Sequence, residues 1–234
     1  MRHLLLSLLL FVPGVAAQPA LRLTLPLGGE RPRLGAREAA ELGAVLLTGV
    51  AHLAASEADA SGVFIPAAMA GWGGYVGLRA ATEPGFLREL GLTGDNLGAA
   101  TLHTALVTGA TVAGMAAVGA AQGSLSLEPG LVPLLALYPA WGLVQQTLVQ
   151  GFVTRHLDAA GLPAVAVVPL AAGSFGLVHV PNWELTAIAT GVGGAFSGLY
   201  LHDRHLVPLG VAHGVIGALF YVWVLDRDPL SSIY

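Results

Sequence analysis

Seven apolar stretches separated by short polar breaks constrain this chain more than any other feature. They fall at roughly 38–55, 62–78, 97–121, 131–153, 162–180, 185–201 and 206–225. About 20 apolar residues in a helix cross the roughly 30 Å of bilayer hydrocarbon. In lipid the backbone can satisfy its own hydrogen bonds only as helices or a closed barrel. The expectation is therefore an all-α, polytopic transmembrane helical bundle of seven or eight spans, with the lipid bilayer as its first partner. Only 10% of the 234 residues are charged, against about 25% in soluble domains. Cysteine is absent, which excludes disulfides and thiolate metal sites. A net charge of −4 leaves no basic footprint for nucleic acid.

The ends of the chain divide from this bundle. Residues 1–17 carry Arg2, an apolar run from Leu4 to Val12, the breaker Pro13-Gly14, then Val15 and Ala17. They read as a signal peptide or as a weak first transmembrane helix. Residues 18–37 form a positively charged loop with Arg22, Arg31, Arg33 and Arg37 against Glu30. Residues 38–225 form the bundle and 226–234 a tail. Placing the positive loop inside also puts Arg79, Arg88, Arg155 and Arg204 inside, leaving Arg227 as the exception. That parity obeys the positive-inside rule and favours an uncleaved leader helix. The pairs Gly73/Gly77, Gly194/Gly198 and Gly210/Gly214 have the spacing that lets helix backbones approach closely.

Polar side chains inside the spans mark candidate sites, because lipid offers them no solvation. The stretch from Tyr138 to His156 holds Gln145, Gln146 and Gln150, the last two one helical turn apart. Glu41 and His52 lie near the ends of their segment, where they can meet headgroups. His103 shares its segment with Thr101, Thr104, Thr108 and Thr111, a stripe suited to bonding carbonyls or neighbouring helices. His179 and His213 come in recognisable frames, SFGLVHVPN at 174–182 and HLVPLGVAHGVIG at 205–217. Phe175 and His179 share one helix face, and Gly217 follows His213 by one turn.

This order of motifs resembles the CPBP family of polytopic membrane proteins, which includes the type II CAAX prenyl proteases and the bacteriocin-protection (ABI) proteins. The family pattern is EExxxR, FxxxH and HxxxN or HxxxD on separate helices of one bundle. The lead-in LGLTGDN at 90–96 is similar too, and the resemblance covers about 90–220. It implies that Gln145, Gln146, Gln150, His179 and His213 stand at catalytic positions and that Phe175 packs beside His179 next to substrate. These polar groups should then converge within a few ångströms.

The first motif is degenerate, with Gln where the family has Glu, Glu and Arg, and Gly217 replaces the last Asn or Asp. An amide can orient a water but cannot take its proton, and loss of a general base costs about 10²- to 10⁴-fold. Without a carboxylate at 145 or 146, an arginine at 150 would be an unbalanced buried cation. No cofactor is expected. Zinc at His179 and His213 would need a third ligand, for which Glu184 is the candidate. Three functions follow: a weakened or inactive relative binding a membrane-embedded or lipidated peptide or a partner transmembrane helix; an active endopeptidase with a rearranged site; or a small-molecule or ion transporter. The expected location is the bacterial inner membrane.

Overall fold

A computed structural model describes residues 34–94, 96–127 and 130–227. The leader, most of the positive loop and the tail after Arg227 lie outside them. The described residues are helical, with no strand among them. In order they form α1 (Ala36–Glu57), α2 (Ser61–Thr82), the short α3 (Phe86–Glu89) and α4 (Leu97–Gln122). A long rod follows: α5 (Leu131–Gln146), a π-helical segment π1 (Thr147–Thr154) and α6 (Arg155–Ala159). Then come α7 (Ala164–Leu177), α8 (Trp183–Asp203), α9 (Val207–Leu219) and a closing π segment, π2 (Phe220–Val224).

Among the described residues, four helices are both long and apolar enough to cross a membrane: Ala36–Glu57, Leu97–Gln122, Leu131–Ala159 and Val207–Val224. Large apolar side chains stand exposed around the bundle, among them Leu47, Val63, Leu106, Val132 and Leu137, as a lipid-facing perimeter requires. The chain is an integral membrane protein. The stretch 162–180 departs from the expected span of about 20 residues. Pro163 caps α7 and the helix stops at Leu177, 14 residues in all, so it rises about 21 Å and falls short of the hydrocarbon thickness.

Glycines set the central contact. Helices α5 and α9 run antiparallel, and a Cβ on Gly210 would stand 2.7 Å from the Leu143 backbone. One on Gly214 would strike the backbone of Tyr138 and Pro139, and one on Gly142 would meet Gly210 and the Gly214 nitrogen. The Gly210/Gly214 pair thus does what its spacing predicts, with Gly142 as an unforeseen third member. Gly194 makes only ordinary contact with Ala172, while Gly73, Gly77 and Gly198 meet no described atom within 4 Å. Those two pairs mark composition, not close packing.

The termini alternate as the charge pattern requires. The N-terminal ends of α1, α4, α7 and α9 share one end of the bundle with the C-terminal ends of α2, α6 and α8. That end holds Arg79, Arg155 and Arg204 in ion pairs. Here the core is densest: Phe86, Leu90, Phe152, Phe196, Tyr200 and Leu206 are essentially inaccessible. From the lead-in, Leu90, Gly91 and Asn96 dock on the α8–α9 corner. Tyr200 donates to the Leu90 carbonyl at 3.2 Å and the Leu206 amide to the Gly91 carbonyl at 2.7 Å.

Candidate active site

The rod α5–π1–α6 positions the three glutamines, and they divide between two environments. Gln146 and Gln150 are fully buried. Gln145 is partly exposed and lines two adjoining cavities. The larger, about 300 Å³, is almost wholly apolar and lies among α1, α2, α5 and α7, lined by Trp72, Trp141, Gln145, Phe175 and His179. The smaller, about 130 Å³, is shared by Tyr138, Trp141, Gln145, Phe175, His179 and His213.

Behind His213 runs a continuous ladder of hydrogen bonds. Thr154 Oγ1 donates to Gln150 Oε1 at 2.7 Å, Gln150 Nε2 to Gln146 Oε1 at 3.1 Å, and Gln146 Nε2 lies 2.8 Å from His213 Nδ1. In the arrangement the structure gives, the bonds run in one direction. Gln146 Oε1 is taken as acceptor, so its amide nitrogen donates to His213, whose Nδ1 must accept. The imidazole is thereby held neutral with its proton on Nε2. Ser197, whose hydroxyl donates to the Gly193 carbonyl at 2.8 Å, stands 3.4 Å from Thr154 Oγ1.

Phe175 sits between the two histidines, its ring centroid 5.4 Å from each, edge-on to both. The structure therefore brings Gln145, Phe175, His179 and His213 around one cavity, and joins Gln146 and Gln150 to it through His213. The α7–α8 hairpin holds Phe175 in place: Gly176 packs against Thr190, and Gly193 lies beneath the Phe175 ring.

A metal does not fit this arrangement. Neither cavity has an aspartate or glutamate in its lining, His213 Nδ1 is engaged by Gln146, and Glu184 is exposed on the first turn of α8. Three imidazoles line the two cavities, His52, His179 and His213, but among the described residues they do not converge as the three protein ligands of a catalytic zinc do.

Three polar residues behave differently from their sequence expectations. Glu41 does not reach toward headgroups; it is 4% exposed and accepts bonds from Tyr75 and Arg79. Its other oxygen lies 2.7 Å from Nε2 of the fully buried His156. His52 faces Phe64 and lines the larger cavity. His103 pairs with Asp203 at 3.1 Å, although Thr108 and Thr111 of its stripe do bond carbonyls one turn back. Sequence reasoning also passed over Thr154, Ser197 and His156. For the first of these the signal was present, since a polar residue every fourth position from Gln146 marks one face of the rod.

No curated protein and no solved structure matches the chain significantly. A family model described as type II CAAX prenyl endopeptidase Rce1-like matches residues 127–219. That interval runs from the foot of α5 to the end of α9, so it contains the glutamine rod, Phe175, His179 and His213. Over residues 127–219 the chain is similar to the Rce1-like type II CAAX prenyl endopeptidases.

Proposed function

We propose that this protein keeps the binding cavity of its peptidase lineage while having reduced or no peptidase activity. In this reading it holds a membrane-embedded peptide, a lipidated tail or a partner transmembrane helix against Trp141, Phe175 and His179. One observation carries the proposal: Gln146, which the motif resemblance aligns with a catalytic glutamate, donates to His213. A glutamate there could only accept, and His213 would then keep its proton on Nδ1 and present a basic Nε2. The amide imposes the opposite tautomer. It thus removes the general base directly and withdraws the lone pair of the second nitrogen as well. The apolar lining of the larger cavity supports an occupant of lipid or helix character. We place the protein in the bacterial inner membrane on its likeness to the bacteriocin-protection proteins.

Restoring the charges tests this. Wild type and Gln145→Glu/Gln146→Glu/Gln150→Arg are compared in a cleavage assay on prenylated and membrane-embedded peptides. The expected result is a gain of at least about 10²-fold in the triple variant, with photocrosslinking of the same peptides to both proteins. Rapid cleavage by wild type that His179→Ala and His213→Ala each abolish would establish the alternative, an active endopeptidase with rearranged chemistry. Wild type that neither cleaves nor crosslinks would refute the binding role.

A further inference from the structure

Where α4 meets the end of α8, two histidines and an aspartate converge from separate helices. His103 lies in the second turn of α4; His202 and Asp203 close α8. His103 Nδ1 is 3.1 Å from both Asp203 oxygens, and His202 Nδ1 is 2.8 Å from Oδ1. One ligand atom from each of the three lies within 4.8 Å of the other two. Ligands of a tetrahedral zinc stand about 2.0–2.1 Å from the metal, hence about 3.3 Å apart. Two edges need to open only slightly, and a turn of the exposed His202 ring closes the third.

Charge points the same way. The Asp203 side chain is 6% exposed and its ion-pair partners among the described residues are these two imidazoles. The adjacent Arg204 turns instead to Asp158. A nearly buried carboxylate without a fixed cation is costly, and a bound divalent ion would balance it. Its backbone is held in place, since Asn96 Nδ2 donates to the Asp203 carbonyl at 2.5 Å.

We infer that His103, His202 and Asp203 form a binding site for a zinc-like divalent cation. Two nitrogens and one carboxylate oxygen select a borderline transition metal over magnesium or calcium. Three protein ligands leave a coordination position for water. Side-chain exposures of 38% for His103 and 58% for His202 let the ion exchange with solvent. Helix α4 is 26 residues long, about 39 Å, longer than the hydrocarbon is thick. His103 thus falls near the hydrocarbon edge, where water reaches. Occupancy would clamp α4 to the α8–α9 corner on which Leu90, Gly91 and Asn96 dock.

The test uses full-length protein without a polyhistidine tag, stripped by a chelator and titrated with zinc against a chromophoric competitor. One zinc per chain is expected, with a dissociation constant of about 1 μM or tighter, and a melting temperature that rises with zinc. His202→Ala, exposed and safe for the fold, should weaken binding about 10-fold or more and abolish the melting shift, as should Asp203→Asn. His179→Ala/His213→Ala should leave both unchanged. Folded wild type that binds no zinc at 100-fold the expected constant, or binding lost with His179 and His213 in place of His103 and His202, would overturn the site. The hydrogen-bonded His–Asp–His cluster alone would then be its explanation.

Discussion

Gln146 is the residue on which the chemistry of the site turns, because it makes two hydrogen bonds of opposite direction in the interior. It donates to His213 and accepts from Gln150 while fully buried. Gln146→Leu keeps much of the volume and removes both functions, leaving an imidazole acceptor and an amide donor unmatched. A buried polar group without a partner costs about 1–3 kcal/mol, so the loss should reach at least about 2 kcal/mol in a denaturant titration of micelle-bound protein. Thr154→Val should cost less, since it removes only the last donor of the ladder. A Gln146→Leu protein as stable as wild type would show that the ladder is not formed. The three amides were legible in the sequence as a polar cluster inside an apolar segment. Their division into one cavity residue and two ladder residues was not, because that depends on which side His213 approaches from.

At the scale of elements, the rod from Leu131 to Ala159 shows what hydropathy can and cannot give. Its apolar pattern marks a helix from 131, and the structure agrees. The pattern carries no sign that Thr147–Thr154 is wound as a π-helix, a form seen mostly as short bulges at functional sites. Side chains help to satisfy the carbonyls around this segment: Thr147 Oγ1 bonds the Leu143 carbonyl at 2.8 Å and Arg155 Nε the Gly151 carbonyl at 2.9 Å. Glycine spacing was equally ambiguous, since three pairs looked alike and only Gly210/Gly214 meets another backbone closely. Gly142→Ala and Gly214→Ala press a methyl group into backbone and should each destabilise by about 1–3 kcal/mol. Gly198→Ala, where space is open, should instead gain about 0.5–1 kcal/mol from helix propensity. Equal effects at all three positions, read from unfolding midpoints, would contradict the packing described for α5 and α9.

Across the whole molecule, the amide site at mid-bundle and the charged network at one end have exchanged what a sequence reader expects of them. Gln145, Gln146 and Gln150 are uncharged where the family motif they resemble carries charges. Glu41, Arg79 and His156, from α1, α2 and α6, form a buried ionic cluster where apolar helices meet. Arg79 lies over the Phe86 ring, 4.0 Å from its centroid, and also bonds Glu83 at 2.6 Å. The sequence held the parts, an acid and a base near the ends of two apolar segments, but gave no reason to pair them until the helices were assembled. Removing one partner of a buried pair strands the other, so Glu41→Ala should cost about 3–5 kcal/mol, measurable as a lowered unfolding midpoint. The rim of this network should respond to acid. Hydrogen bonding from Arg79 holds the Glu83 carboxyl below its ordinary value of 4.5. A carboxylate with a depressed folded pKa contributes stability that is fully present above the unfolded value and is lost as pH falls through the folded one. Wild type should therefore exceed Glu83→Gln in stability at pH 7, and the gap should close as the pH is taken below 4.5 toward the folded pKa. A gap that persists unchanged after both pKa values have been passed would mean that Glu83 acts through packing and not through its charge.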